Sequence, residues 1–213
     1  MKTDDVIAML ATNVAPVPRQ AARHNLLVAL SVGLVLSVFW MLTEYGVRKD
    51  IAQAMDLPMF WIKLAFPVAV ALAGFVLVHR LSRPGVAARK AWLGVVLPVA
   101  ALWILALWVL AQAPAPERAA LILGRTWATC ALSIVTMALP IFVATFVALK
   151  RLAPTQPASA GAAAGVLAAG TGAAVYALHC PELAAPFLAI WYVLGMAVLP
   201  LLGAYMGPRL LRW

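Results

Sequence analysis

Six long apolar runs dominate this chain and leave it few ways to fold. They are Leu26–Thr43, Met59–Val78, Trp92–Ala111, Trp127–Leu149, Ala160–Leu178 and Phe187–Met206. Each supplies close to the ~20 apolar residues that a helix needs to cross a bilayer core about 30 Å thick. Inside lipid a run of this kind has no water to bond its backbone, so it must satisfy its own N–H and C=O groups, which a helix does. The remaining composition agrees. Of 213 residues, 65% are hydrophobic and 11% charged, and the mean hydropathy is +0.98. A soluble domain of this size cannot hide so much apolar surface. The expected fold is all-α, a polytopic membrane protein built as a six-helix bundle over residues 26–213, preceded by a separate segment, 1–25.

The net charge of +9 follows membrane topology rather than nucleic acid. The connections fall into two alternating sets. The N-terminal segment, residues 79–91, residues 150–159 and the tail from Gly207 hold eleven Lys and Arg but only two acids, Asp4 and Asp5. The other set holds Arg48, Lys49, Arg118 and Arg125 against Glu44, Asp50, Asp56, Glu117 and Glu182. Short, base-rich connections stay cytoplasmic, so both chain ends are expected inside a bacterial inner membrane. No basic stripe with interleaved aromatics is present, and no nucleic-acid partner is expected. Met1–Asn25 has neither a long apolar core nor a small-residue cleavage site, so no signal peptide is expected there. Lipid is then the solvent of the first apolar run as of the others.

Several residues inside the runs invite a reading. Trp40, Trp61, Trp127 and Trp191 fall near the expected outer ends, where amphipathic rings settle. Pro67, Pro98, Pro140 and Pro200 lie within helices and are expected to bend them. Gly161, Gly165, Ala169 and Ala173 form a small-residue stripe for close packing, within the chain or across a homodimer. Lys63 is the one charge inside a run. It is expected to snorkel outward or to pair with Glu44 or Asp56.

The chemistry on offer is sparse. No Gly-rich phosphate loop, HExxH or triad pattern appears, so neither an enzyme nor a resident cofactor is expected. Cys130 and Cys180 both fall on the expected outer side. They read either as a static disulfide or inert thiols, or as a redox or metal sensor with His179 and Glu182 as further donors beside Cys180. A metal set of Cys130, Cys180 and His179 belongs to the second reading. In the N-terminal segment, Thr3 can cap a helix whose first turn carries Asp4 and Asp5. Val6, Ile7, Leu10 and Val14 then recur at helical spacing, and Pro16 and Pro18 end the pattern. Such a short cytoplasmic helix needs something to cover its stripe. Its acidic polar face suits a protein better than an anionic lipid surface.

Certain stretches have a family likeness. They are Met1-Lys2-Thr3-Asp4-Asp5, Phe60-Trp61-Ile62-Lys63-Leu64-Ala65-Phe66, Trp127 with Cys130, Tyr176-Ala177-Leu178-His179-Cys180-Pro181-Glu182, and the ending Arg209-Leu210-Leu211-Arg212-Trp213. With these the chain resembles the NrsF family of membrane anti-sigma factors, which regulate extracytoplasmic-function (ECF) sigma factors negatively. The resemblance implies a cognate ECF sigma factor as partner, held at the membrane until heavy-metal or oxidant stress reaches the outer side. It also implies that Cys130 and Cys180 are the sensing pair. Since the N-terminal helix needs a protein to cover its stripe, residues 1–25 are the expected sigma-binding segment. Asp4, Asp5, Val6, Ile7, Leu10 and Val14 would make the contact, joined by Arg80, Arg83, Arg89 and Lys90 of the second cytoplasmic connection. Two rival readings are a small multi-pass transporter and a membrane thiol-redox protein. The first has few polar groups near its prolines, Ser133 and Thr136 before Pro140 and little else, and the second lacks a CxxC-like pair.

Overall fold

The computed structural model describes residues 3–12, 20–83 and 85–212. Among the described residues the regular structure is helical throughout. A short helix α1 (Thr3–Ala11) stands first, followed by α2 (Ala21–Glu44), α3 (Ile51–Met55) and α4 (Pro58–Leu81). After a 3-10 turn at Arg89–Trp92 come α5 (Leu93–Gln112), α6 (Ala115–Leu123), α7 (Trp127–Lys150) and α8 (Pro157–Ala177). The last stretch is α9 (Ala185–Phe187), a π turn (Leu188–Tyr192) and α10 (Val193–Leu210). Six helical stretches are long and apolar enough to cross a membrane, one for each apolar run of the sequence.

Local chemistry explains the starts and stops. Proline lies in the first turns of α4, α6 and α8, where its missing N–H costs nothing. Basic residues close α4 and α7, facing the negative end of the helix dipole. Pro67, Pro98, Pro140 and Pro200 are carried inside continuous helices, as the runs require. The short helices α3 and α6 fall in stretches that the hydropathy pattern marks only as connections.

α8 is the most buried span and α5 the least. α4, α7 and α10 pack around α8, while α2 lies mainly on α7 and α5 on α4 and α9. The small-residue stripe makes this possible. A Cβ on Gly161 or Gly165 would collide with the backbone of α10 at Gly203 and Leu199, and Ala169 and Ala173 are buried. Other faces of α8 come equally close. A Cβ on Gly170 would meet Pro67 O at 2.8 Å, and one on Gly172 would meet Ala138 Cα at 2.6 Å. The stripe is therefore spent inside the chain rather than offered to a second copy.

Candidate functional site

At one end of the bundle, residues 45–57 and 178–184 fold over the tops of α4, α7 and α8. The Arg48 backbone N–H donates to the Leu178 carbonyl at 3.1 Å. Its guanidinium forks onto both carboxylate oxygens of Asp50 at 2.8 and 2.6 Å, the two-point geometry that fixes a guanidinium plane. The fork holds the Asp50 carboxyl down at about 2 and pushes Arg48 above its usual range. Thus oriented, Arg48 Nη1 reaches the carbonyls of Cys180 and Pro181 at 3.3 and 3.4 Å.

A second cation meets the same carbonyl. Lys63 Nζ donates to Cys180 O at 2.5 Å and lies 5.7 Å from the centroid of the Tyr192 ring. Lys63 is fully buried. The sequence expectation that it snorkels, or pairs with Glu44 or Asp56, is overturned. The second turn of α4 faces the bundle interior, and the carbonyl of the 178–184 loop comes down to meet it. The π turn matters here, because it turns Tyr192 inward, where its side chain is fully buried. π turns recur where a helix must re-aim one side chain.

Cys130, in the first turn of α7, and Cys180, in the loop, are both fully buried free thiols. The structure brings them close enough to interact side chain to side chain. The neighbouring Cys130 thiol, with Lys63 and the Tyr192 hydroxyl acting in the same direction, holds Cys180 below the ordinary thiol range against the opposing effect of burial.

His179 and Glu182 flank the pair but serve other contacts. His179 Nδ1 lies 3.0 Å from Gly46 O, with its ring 5.1 Å from that of Tyr45. Glu182 Oε1 accepts from the Arg125 backbone N–H at 2.7 Å and from Thr126 Oγ1 at 3.4 Å, holding the turn that leads into α7. Among the described residues no three of His, Cys, Asp and Glu are grouped to hold a metal ion. The expected metal set of Cys130, Cys180 and His179 is thus not assembled among the described residues, with His179 Nδ1 facing Gly46 O of the 45–57 loop.

Residues 79–91 lie at the far end of α4. Arg80 Nη1 reaches Ala87 O at 3.4 Å, and Arg83 Nη2 lies 3.1 Å from His79 Nε2. Arg89 and Lys90 are exposed. On α1, Asp4, Asp5 and Ile7 are exposed and Val6 is half-buried. Val14 and the side chain of Leu10 fall outside the described residues. The sequence reading missed Arg48, Tyr176 and Tyr192. Lys63 carried a usable signal, since an ionisable residue within a span marks a functional site by default; the π turn that places Tyr192 has no such signature.

Comparison with known proteins bears on what this arrangement serves. Residues 10–213 match the family described as NrsF, negative regulator of sigma F. A protein of Azospira oryzae described as a probable anti-sigma-F factor NrsF is 41% identical over 215 residues, covering 100% of both chains. The anti-sigma-F factor NrsF of Caulobacter vibrioides is 36% identical over 214 residues, again covering 100% of both. No solved structure matches. With a family match over nearly its whole length and full-length relatives at this identity, the chain belongs to the NrsF family of negative regulators of sigma F.

Proposed function

We propose that this chain is an anti-sigma factor that sequesters an ECF sigma factor at the bacterial inner membrane and releases it when a thiol-reactive stress, such as a heavy metal or an oxidant, reaches the outer side. The full-length match to relatives described as anti-sigma-F factors carries the reading. Cys130 and Cys180 form the sensor, with their shared position at one end of the bundle in support. The output surface is at the opposite end: α1 with Asp4, Asp5, Val6, Ile7, Leu10 and Val14, and the basic connection with Arg80, Arg83, Arg89 and Lys90.

Magnitudes argue that both parts of that surface are needed. Burying four aliphatic side chains yields roughly 6–12 kcal/mol. Ordering the segment consumes about 2–5 kcal/mol of it, and nanomolar binding needs about 12 kcal/mol. The N-terminal segment alone falls short, so the loops must add to it, and a modest shift between segment and loops is enough to release the partner.

The test is a reporter driven by the cognate sigma factor. Leu10→Asp should leave the protein in the membrane and turn the reporter on constitutively. Cys130→Ser and Cys180→Ser should keep it off and abolish the response to stress. Normal induction in both cysteine variants overturns the sensor assignment. Silence of the Leu10→Asp variant at normal protein level moves the sigma-binding surface elsewhere.

A further inference from the structure

Lys63 poses a problem of charge. Its ammonium is fully buried, and Cys180 O takes only one of its three donors. Among the described residues no carboxylate lies within ion-pair distance of it. Asp50, the nearby acid whose charge it feels, is forked by Arg48, and its side chain is 58% exposed. A buried charge without a partner is expensive and normally disappears by losing its proton. The group that can supply an anion is the Cys180 sulfur. Lys63 from α4 and Arg48 both bond the carbonyl of this same residue, Tyr192 of the π turn lies against Lys63, and Cys130 of α7 is near enough to interact with the sulfur. The Tyr192 hydroxyl is buried with no hydrogen-bond partner.

We propose that Lys63 and Cys180 form a buried ammonium–thiolate pair, and that Lys63 is the positioning residue that makes Cys180, rather than Cys130, the attacking sulfur of the sensing pair. This rests on the sensing role proposed above. With a peroxide as oxidant, the Cys180 thiolate attacks one peroxide oxygen. The O–O bond breaks, Cys180 becomes a sulfenic acid, and the departing alkoxide or hydroxide takes the Cys130 proton. The Cys130 thiolate then attacks the sulfenic sulfur. The S–S bond forms, the S–O bond breaks, and the hydroxide released takes a proton from Lys63. Two electrons pass from the sulfurs to the peroxide, one alcohol or water and one further water leave, and the pocket is neutral before and after. What changes is Lys63: its ammonium becomes an amine. The charge-assisted bond to the Cys180 carbonyl and the attraction to the Tyr192 ring are both lost, and α4 is released from the 178–184 loop.

The test is an ultraviolet titration of the thiolate band in the full-length protein in detergent, with Cys180→Ser as the blank. The wild-type protein should show a Cys180-dependent band that persists well below the ordinary cysteine pKa of about 8.5. Lys63→Met, which keeps the bulk and removes the charge, should move the midpoint up by about one unit or more. A merely structural lysine would leave the midpoint in place. Absence of a Cys180-dependent band below the ordinary range in the wild-type protein overturns the proposal, and that measurement does not depend on how the Lys63 variant folds. A Lys63→Met midpoint equal to that of the wild-type protein overturns it as well. The sensing role fails by a different result, stress induction that survives loss of either cysteine.

Discussion

Gly124 occupies φ 55° and ψ −157°, a region that residues with a side chain rarely enter. A Cβ there would also lie 2.7 Å from both Glu182 Oε2 and Phe187 Cδ2. The corner between α6 and α7 is thus built so that the Glu182 carboxylate can reach the N-terminus of α7. Gly124→Ala combines backbone strain with loss of that latch. It is expected to lower stability by about 2–3 kcal/mol, read as a reduced melting temperature of the solubilised protein. Single residues were also where the sequence was hardest to read. Glu182 was singled out beside Cys180, but as a ligand donor. Its role as a latch on the turn before α7 depends on Arg125 and Thr126, more than fifty residues away. Lys63 was singled out too, yet hydropathy alone cannot tell which side of a span faces the interior. The approach of Cys130 to Cys180 needs the packing of α7 against α8, which no spacing encodes.

Among the elements, α8 depends most on having no side chains to speak of. Its contact with α10 runs along Gly161, Gly165, Gly203 and Gly207, where each added Cβ would strike backbone. Backbone cannot yield as a side-chain tip can, so Gly203→Val must push the two helices apart along much of their length. Overpacking of this kind costs about 1–3 kcal/mol or more. The variant should reach the membrane in reduced amount and lose its single, sharp peak on size-exclusion chromatography. Here the sequence was informative. The six apolar runs predicted all six long apolar helices, because spanning length and apolarity are physical requirements of each run by itself. The small-residue stripe announced close packing, though not its partner. The π turn before α10 stayed invisible, since one extra residue in a helical turn rotates the next turns by about 100° without altering composition. The short helices α3 and α6 were hidden for a similar reason: a helix of 5 residues, or of 9, leaves little periodicity to detect.

For the whole molecule the charge asymmetry makes a definite statement about sidedness. Reporters fused after Gly85, Pro157 and Trp213 should read cytoplasmic, and those after Asp50, Pro116 and Glu182 periplasmic. A periplasmic reading from the Gly85 fusion breaks the orientation on which the proposed route from sensor to sigma factor depends. That route spans the length of the bundle, and α4 covers it in one piece. Its second turn carries Lys63, and its last turn carries His79 and Arg80.

One atom, the Cys180 carbonyl oxygen, is gripped by Arg48 from the first hairpin and by Lys63 from α4, and it belongs to the connection within the last hairpin. Mechanically this resembles poles lashed together at a single knot, with the free feet at the other end. α4 has 24 residues, so at ~1.5 Å of rise per residue it is roughly 36 Å long. Slackening the knot enough to let this pole lean by about 5° displaces its foot by ~3 Å, on the order of a hydrogen bond's length. A change of one charge at the lashing is thereby converted into a change of footing for Arg80, Arg83 and the chain beyond them.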